Sequence, residues 1–327
     1  MITLVRWVVR LLVLLLVVAA VAYPVADFLR VPMDDTARAE LTKAGKAGRF
    51  VPLTAGVMHV RVEGPEDGPV VLLVHDAAIG GFSFQRWIKP LSDAGFRVIV
   101  PDLLSFGYSD RPTVTHDRAF FTDQLSELLA KLNVTQPFQI VGTSMGGAIT
   151  SDFVAANTAR IRSVTLIAPA GLGPVPAAKS QSVRVLLAPV VGDWLARVLG
   201  PTAAVRGTAQ GYLAEVEGLA NWMAEQTKYR GYSEGQLNTF RNYDLQNRLA
   251  SYDAIGRSGL PVLAVWGTVD TVVPFAHSAE LVKRAPQTKL VPIDGEEHGL
   301  PMRKPDETVA IVLPFLQAQS GAGAATP

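Results

Sequence analysis

The sequence predicts an α/β fold, in which a mostly parallel β-sheet carries helices on both faces. Short runs rich in valine, isoleucine and leucine alternate with longer segments of helical character. These runs are continuously apolar, as expected of strands that are buried on both sides. The alternation breaks over 171–258, where the patterns are helical only. We therefore expect one core domain, formed by 49–170 and 259–316, with a helical cap inserted at 171–258.

The predicted elements follow from this periodicity. Strands are expected at 57–62, 70–75, 97–101, 138–141, 164–168, 262–266 and 288–293. Helices of the core are expected at 84–94, 119–132, 146–157 and 277–284, and helices of the cap at 184–199, 211–229 and 234–249. The turn signal Gly-Pro-Glu-Asp-Gly-Pro at 64–69 predicts that the first two strands form a hairpin.

The N-terminal segment is long and apolar. Residues 7–26 contain a single charge, Arg10, and twenty helical residues span about 30 Å, the thickness of the hydrocarbon layer. Arg6 and Arg10 precede the apolar run 11–22, which predicts a cytoplasmic N-terminus. Residues 1–30 are therefore interpreted as a membrane anchor, with the remainder on the extracytoplasmic side, periplasmic or extracellular.

Two alternatives remain for this segment. Ala20-Val21-Ala22 resembles a signal-peptidase site, and cleavage there would give a secreted protein. An amphipathic surface helix would instead leave the protein in the cytoplasm. Residues 31–48 are charged and rich in alanine, typical of a linker or a surface helix. Residues 317–327 are small and polar to neutral, which predicts a disordered tail.

Composition excludes several classes of function. The net charge is +1 and the basic residues are scattered, so nucleic-acid binding is not expected. The absence of cysteine excludes disulfides, thiolate zinc sites and a cysteine nucleophile. The five histidines contain no pair at the i, i+4 spacing of a helical metal site, so we expect no bound metal.

A candidate nucleophile, Ser144, lies in Gly142-Thr143-Ser144-Met145-Gly146-Gly147, between a predicted strand and a predicted helix. A serine on such a sharp turn exposes its hydroxyl, and the flanking glycines remove side chains that would clash. The helix N-terminus behind it presents free N–H groups to an oxyanion. The alternative is a glycine-rich turn with a capping serine.

Serine needs a base, and the base needs an orienting carboxylate. Asp270 follows the predicted strand 262–266, and His298 follows the next one, in the chain order serine, acid, histidine. Ser144, Asp270 and His298 are therefore the predicted triad. Asp270 could instead cap the following helix, and His298 could be an ordinary loop histidine.

Weaker rivals exist for two of these roles. His277 is an alternative base, and Glu296 and Glu297 are alternative acids close in sequence to His298. An oxyanion hole needs two donors. We expect the N–H of Met145, directly after the nucleophile, and a second N–H from the loop 75–81, assigned to Ala77.

These motifs resemble the α/β-hydrolase superfamily over nearly all of 49–316, and especially its cap-bearing esterase, lipase and C–C hydrolase branch. The matching segments are 71–75, 100–103, 106–112, 142–147, 267–274 and His298 with Pro305. The resemblance implies a triad of Ser144, Asp270 and His298, oxyanion donors at Met145 and Ala77, and no cofactor.

One residue departs from the family pattern. His-Gly usually follows the third strand, whereas this chain has His75-Asp76. Aspartate tolerates positive φ, so the loop can persist, but an inward-pointing carboxylate would oppose an oxyanion. Members with an aspartate nucleophile, the dehalogenases and epoxide hydrolases, are disfavoured because position 144 is serine.

The expected function is hydrolysis of a carboxylic ester that carries a hydrophobic or lipid-like group. The predicted cap is rich in apolar residues, and its Trp194 and Trp222 are candidate substrate contacts, although these side chains could simply pack the cap on the core. The triad would equally serve a C–C bond hydrolase or a cofactor-free perhydrolase or haloperoxidase. A non-catalytic ligand-binding protein, with the oxyanion hole spoiled by Asp76, is the alternative from another class.

Overall fold

An eight-stranded sheet runs through the part of the chain that the computed structural model describes, residues 2–46, 48–77, 79–176 and 180–320. Its strand order is β1-β2-β4-β3-β5-β6-β7-β8, and from β4 to β8 all neighbours are parallel. The strands are β1 (Arg49–Leu53), β2 (Gly56–Glu63), β3 (Val70–Val74), β4 (Arg97–Pro101), β5 (Phe138–Thr143), β6 (Ile161–Ile167), β7 (Val262–Gly267) and β8 (Thr288–Ile293).

Helices surround this sheet and form the cap. They are α1 (Ile2–Phe28), α2 (Asp35–Lys43), α3 (Ile88–Asp93), α4 (Arg118–Lys131), α5 (Met145–Asn157), α6 (Gln181–Leu187), α7 (Val191–Val198), α8 (Gly200–Gly207), α9 (Leu219–Gln226), α10 (Tyr232–Asn242), α11 (Leu249–Ser258), α12 (His277–Arg284), α13 (Leu300–Arg303) and α14 (Pro305–Gln319). Short 3₁₀ helices occupy Gly80–Phe84, Thr158–Arg160 and Gly211–Glu215.

The core lies on both faces of the sheet. Apolar side chains of α4, α5, α11 and α12 pack on one face, and those of α3 and α14 pack on the other. All residues of β4, β5 and β7 are buried, which explains why their sequences are mostly apolar. The predicted α/β sheet is therefore present, and each of its predicted strands is found.

The predicted hairpin between 57–62 and 70–75 is wrong. β2 is antiparallel to β1 on one side and to β4 on the other, whereas β3 lies beyond β4. The hairpin partner of β2 is β1, a strand not predicted from the sequence, and Leu53 and Gly56 are paired across the turn. The turn signal at 64–69 therefore reverses the chain without making the two flanking strands neighbours.

The cap is shorter than predicted. α11, inside the predicted cap segment 171–258, packs on α5 as part of the helical layer of the core. Its Tyr252 and Ile255 are fully buried, and the Tyr252 hydroxyl donates to the Ala170 carbonyl at 2.6 Å. α6 to α10 form the cap itself. The described part of the segment 171–258 is thus helical, as expected, but its last helix belongs to the core.

The terminal segments are also partly helical. In α1, Thr3–Phe28 has a mean hydropathy of 2.6 and is long and apolar enough to cross a membrane. α2 lies within the predicted linker and buries Ala37 and Leu41, so this segment contains the surface helix that was the alternative. α14 continues through Gln319, beyond the predicted start of the tail at 317. Residues 321–327 of that predicted tail lie outside the described residues.

Candidate active site

Ser144 occupies the sharp turn between β5 and α5. Its backbone has φ 53° and ψ −118°, a left-handed conformation that costs a non-glycine residue about 1–3 kcal/mol. Hydrogen bonds hold it there: its N–H donates to the Ile167 carbonyl at 3.0 Å, and its carbonyl accepts the N–H of Ala170 at 2.9 Å. The surrounding structure therefore imposes the strain on Ser144.

Glycines make this turn possible through close approaches. A Cβ on Gly142 would lie 2.4 Å from the carbonyl oxygen of Gly146, and one on Gly146 would lie 2.1 Å from that of Val74. A Cβ on Gly147 would lie 2.5 Å from the Cβ of Pro169. No side chain fits at such distances, so the glycines let the first turn of α5 lie directly against β3.

The acid and the base of the predicted triad are paired. His298 Nδ1 lies 2.7 Å from Asp270 Oδ2, and both residues are buried. The other carboxylate oxygen, Oδ1, accepts the N–H groups of Val272 at 2.9 Å and Val273 at 2.8 Å. Because Nδ1 donates to Asp270, Nε2 is the ring nitrogen that remains to accept a proton.

The nucleophile lies at the same edge of the sheet. Ser144, Asp270 and His298 follow the carboxyl ends of β5, β7 and β8, which run parallel. Ser144 Oγ makes no hydrogen bond to a residue that the structure describes, so its contact with His298 is not formed in this conformation. Such bonds often close only when substrate binds.

The rival residues are engaged elsewhere. Glu297 accepts two hydrogen bonds from Thr271, and Glu296 forms ion pairs with Arg303 and Lys304. His277 lies on α12, and burial lowers its pKa below the usual value. Among these candidates, His298 is the one that is hydrogen-bonded to Asp270.

The predicted oxyanion donors come from two adjoining segments. Met145 is the first residue of α5, where an N–H has no acceptor within the helix. The Cβ position of Gly146 lies 2.5 Å from the carbonyl oxygen of His75, which places the start of α5 beside the loop that contains Ala77. Ala77 itself is half-buried in a turn, and residue 78 lies outside the described residues.

His75 fixes the start of this loop. It is fully buried, its Nε2 accepts the Leu103 N–H at 2.9 Å, and its Nδ1 donates to the Asp76 carbonyl at 2.6 Å. These bonds define a neutral ring, consistent with burial that lowers the pKa of His75. His75 therefore has a structural role.

Asp76, the departure from the family pattern, is bonded within its own loop. Its Oδ1 accepts the N–H of Ile79 at 3.0 Å, and its Oδ2 accepts the hydroxyl of Ser83 at 2.6 Å. An aspartate that bonds the backbone three residues later is a common turn former. The carboxylate is thus used to shape the loop.

A second buried histidine–carboxylate pair supports the next part of the loop. Asp102 Oδ2 lies 2.8 Å from His59 Nδ1, and its Oδ1 accepts the Gly81 N–H at 2.6 Å. Burial alone would raise the pKa of Asp102, but the hydrogen bond and the electrostatic interaction with His59 lower it to about 2. The ionised carboxylate fixes the 3₁₀ helix Gly80–Phe84.

The cap contributes two aromatic residues near the site. Tyr212 lies edge-on to the His298 ring, with 5.9 Å between the centroids, and burial together with nearby carboxylates raises its pKa. Trp222 donates from Nε1 to the Ile79 carbonyl at 2.7 Å and stacks on Phe82. Trp222 is one of the substrate contacts predicted from the sequence. Tyr212 is not among them, because it lies in no motif and is brought to His298 only by the docking of the cap.

Trp194 is not in this group. Its Nε1 donates to the Ala19 carbonyl of α1 at 2.8 Å. The indole takes part in the packing of α7 on the N-terminal helix, and its role as a substrate contact stays a prediction.

Comparisons with known proteins agree with this fold. A family model described as the Alpha/beta hydrolase family matches residues 71–311. Epoxide hydrolase A of Mycobacterium tuberculosis is 27% identical over 310 residues, which cover 80% of this chain and 95% of that protein.

Solved structures show the same fold at lower identity. A carboxylesterase of the thaumarchaeon Nitrososphaera gargenis has a TM-score of 0.68 at 21% identity, and the match covers 84% of this chain and all of that one. A membrane phospholipase A, described as a bacterial virulence factor, has a TM-score of 0.67 at 21% identity and covers 98% of this chain and 99% of that one. The predicted α/β-hydrolase fold is confirmed, and hydrolase activity is the general function that these relationships support. The chain therefore belongs to the alpha/beta hydrolase family.

Proposed function

We propose that this protein is a serine hydrolase that cleaves carboxylic esters through Ser144, Asp270 and His298. The observation that carries the proposal is the buried His298–Asp270 hydrogen bond of 2.7 Å, at the sheet edge where Ser144 occupies a strained turn. A nucleophile, a base and an orienting acid in this order are the parts that acyl transfer requires.

The mechanism follows from these positions. His298 Nε2 removes the proton from Ser144 Oγ as this oxygen attacks the ester carbonyl, and Asp270 stabilises the resulting imidazolium. The N–H groups of Met145 and Ala77 stabilise the tetrahedral oxyanion. His298 then protonates the leaving alcohol. Water, activated by the same histidine, attacks the acyl-enzyme, releases the acid and restores Ser144.

Asp76 is compatible with this chemistry. Its two carboxylate oxygens accept hydrogen bonds from Ile79 N–H and Ser83 Oγ, which partly offset its charge. These contacts support an ordered loop 75–81, here called the oxyanion loop, and argue against the non-catalytic alternative.

The substrate is proposed to carry a hydrophobic group. An apolar cluster joins the oxyanion loop to the cap, and its buried members are Ile79, Phe82, Leu219, Met223 and Tyr232. Specificity for apolar groups is typical of sites lined in this way. The apolar helix α1 further favours a lipid-like ester at a membrane, with the catalytic domain on the extracytoplasmic side because Arg6 and Arg10 precede the apolar run. The solved membrane phospholipase A, which covers 98% of this chain, points in the same direction.

A serine-directed fluorophosphonate probe tests the nucleophile. We expect it to label the wild type and not Ser144→Ala, while Ser126→Ala, which changes a half-buried serine on α4, should label normally. Absence of labelling in the wild type, or labelling that persists in Ser144→Ala, would contradict the assignment.

A series of p-nitrophenyl esters tests the substrate class. We expect kcat/KM to increase from acetate to medium-chain acyl groups and to be lost in Ser144→Ala. If the wild type reacts with the fluorophosphonate probe but hydrolyses none of these esters, Ser144 remains the nucleophile and the assignment of an ester substrate is overturned.

A further inference from the structure

The N-terminal helix is not a free tether, because its last third packs against the cap. Its half-buried residues lie on one helical face, at spacings of three and four, whereas the residues between Thr3 and Val18 are exposed. The half-buried residues are Ala19, Ala22, Tyr23, Ala26, Asp27 and Arg30. Three alanines on this face allow close approach of the cap.

Contacts along this face show how α1 and α7 are aligned. Trp194 donates to the Ala19 carbonyl at 2.8 Å, and the Arg197 guanidinium lies 4.0 Å from the ring centroid of Tyr23. Arg30 donates to the Arg197 carbonyl at 2.8 Å. Because both sets of residue numbers increase together, the two helices run side by side in the same direction.

The chain just after α1 fixes this arrangement further. Val31 donates to the Lys228 carbonyl at 3.0 Å and accepts the Arg230 N–H at 2.9 Å, as in a short strand pairing. The Arg230 side chain also forms an ion pair with Asp27 at 3.3 Å. The orientation of the cap relative to α1 is therefore defined by backbone and side-chain contacts.

The parallel alignment places the start of α7 beside the apolar part of α1, and α6 packs on α7. Four apolar residues flank the turn between α6 and α7 and are called the cap-turn patch: Val185, Leu186, Val190 and Val191. Their exposed fractions are 40%, 37%, 79% and 53%. Val190 and Val191 precede Trp194 by about one helical turn, so they lie about 5 Å beyond the level of Ala19, next to the uncharged stretch 11–18.

The backbone conformation of Val190, at the tip of the patch, is strained. Val190 has φ 65°, which a β-branched residue rarely adopts, and its N–H donates to the Asp193 side chain at 2.9 Å. Glycine would relieve this strain, yet valine occupies the position and is the most exposed residue of the patch. An apolar side chain there gains stability only from an apolar environment.

We propose that the cap-turn patch inserts into the outer part of the hydrocarbon layer, in the same leaflet through which α1 leaves the membrane. The partner is the lipid bilayer itself. Trp194, Tyr23 and Arg197 then lie at the membrane–water interface, where aromatic and basic side chains are favoured. This inference rests on the proposed role of α1 as an anchor, and it holds the cap against the lipid surface from which a lipid-like ester would be taken.

The absence of cysteine from this chain allows a direct test with single labels. Val190→Cys carries an environment-sensitive NBD fluorophore on the patch, and Leu14→Cys carries it within α1. Thr135→Cys is the control, because this exposed residue precedes β5 at the edge of the sheet opposite the active site. Each full-length variant is reconstituted into phosphatidylcholine vesicles with and without nitroxide-labelled acyl chains, and circular dichroism verifies its fold.

We expect blue-shifted, nitroxide-quenched emission at positions 14 and 190, and neither effect at 135. Quenching at 14 without quenching at 190 would overturn insertion of the patch and leave the anchor in place. Absence of quenching at both would overturn the anchor and the insertion together. Quenching at all three positions would indicate general adsorption and also overturn the proposal. None of these outcomes depends on ester hydrolysis. Failure of the insertion can therefore be told apart from failure of the proposed catalytic function.

Discussion

Glu297 accepts two hydrogen bonds from Thr271, one from its backbone N–H and one from its hydroxyl, each at 3.0 Å. Thr271 directly follows Asp270, and Glu297 directly precedes His298. The pair therefore connects the loop that carries the proposed acid to the loop that carries the proposed base. Because both bonds face solvent, their contribution is to relative position more than to global stability.

Removing this connection is expected to slow catalysis without weakening substrate binding. Glu297→Ala should lower kcat about tenfold and leave KM within about twofold, since two exposed hydrogen bonds are worth about 1.4 kcal/mol in positioning. Steady-state ester hydrolysis measures both constants. Thr271→Ser retains the hydroxyl and should behave like the wild type, and a wild-type kcat in Glu297→Ala would remove Glu297 from the catalytic scheme.

The acid itself should matter far more. Asp270→Asn retains an oxygen for the N–H groups of Val272 and Val273 but presents an amide N–H to His298, which favours the wrong tautomer of the ring. We expect kcat to fall by about four orders of magnitude with little loss of thermal stability.

Asp294→Asn is the matched control, because this exposed carboxylate in the same region contacts only Thr268 among the residues that the structure describes. It should retain wild-type kcat. A decrease of less than tenfold in Asp270→Asn would assign the orienting role to another carboxylate.

Local sequence was sufficient to predict the turn at Ser144. The glycines at 142, 146 and 147 are required by contacts within the turn and with its immediate neighbours, and a run of apolar residues before them marks β5. Asp270 and His298 were also predictable, since each follows a strand whose neighbours are parallel, and such strands end at one edge.

Contacts that depend on packing were not predictable in the same way. The turn signal before β3 predicts that the chain reverses, but it does not determine which strand pairs with β2. That strand is β4, which comes later in the sequence and lies between β2 and β3. Trp194 and Tyr212 are both aromatic residues of the cap, yet one contacts α1 and the other contacts His298. Only the docking of the cap separates these two roles.

The close approach at Gly146 predicts a large effect on stability. Gly146→Ala places a Cβ 2.1 Å from the Val74 carbonyl oxygen, so β3 or α5 must shift, and we expect a loss of about 2–3 kcal/mol. Gly207→Ala is the control, because that position at the end of α8 has no atom within 4 Å of the new methyl group. It should be neutral or stabilise by about 0.5–1 kcal/mol. Urea unfolding measures both, and wild-type stability of Gly146→Ala would contradict the packing described.

Acid should destabilise the fold through His116. Burial lowers the pKa of this residue to about 4, whereas its usual value is 6.5, and its ring lies between Ser105 and Thr239. The unfolded chain thus takes up the proton at a higher pH than the folded chain. Stability is present above pH 6.5 and is lost as the pH falls towards 4, by up to about 3 kcal/mol.

Urea unfolding of wild type and His116→Gln between pH 7 and pH 4.5 measures this contribution. The free energy of unfolding should fall less steeply in the variant. His75, whose pKa burial also lowers, titrates in both proteins, so the difference isolates His116. Asp102 loses its charge only at lower pH, because its pKa is about 2. Parallel curves would show that His116 is protonated equally in both states.

The cap residue Tyr212 should act through its ring. The ring lies edge-on to His298 and within 3.1 Å of the Cβ position of Gly299, so it covers the proposed base. We expect Tyr212→Ala to lower kcat/KM for a medium-chain ester about tenfold, because the loss of one buried aromatic contact costs about 1.4 kcal/mol. Tyr212→Phe keeps the ring and should stay within about twofold of the wild type.

Burial and the charges of Asp76 and Asp270 raise the pKa of the Tyr212 hydroxyl, so this group stays neutral through the working pH range. The wild type and Tyr212→Phe should therefore share one pH profile. If Tyr212→Phe lost as much activity as Tyr212→Ala, the hydroxyl would be the essential group, and Tyr212 would be a candidate to contact the substrate directly.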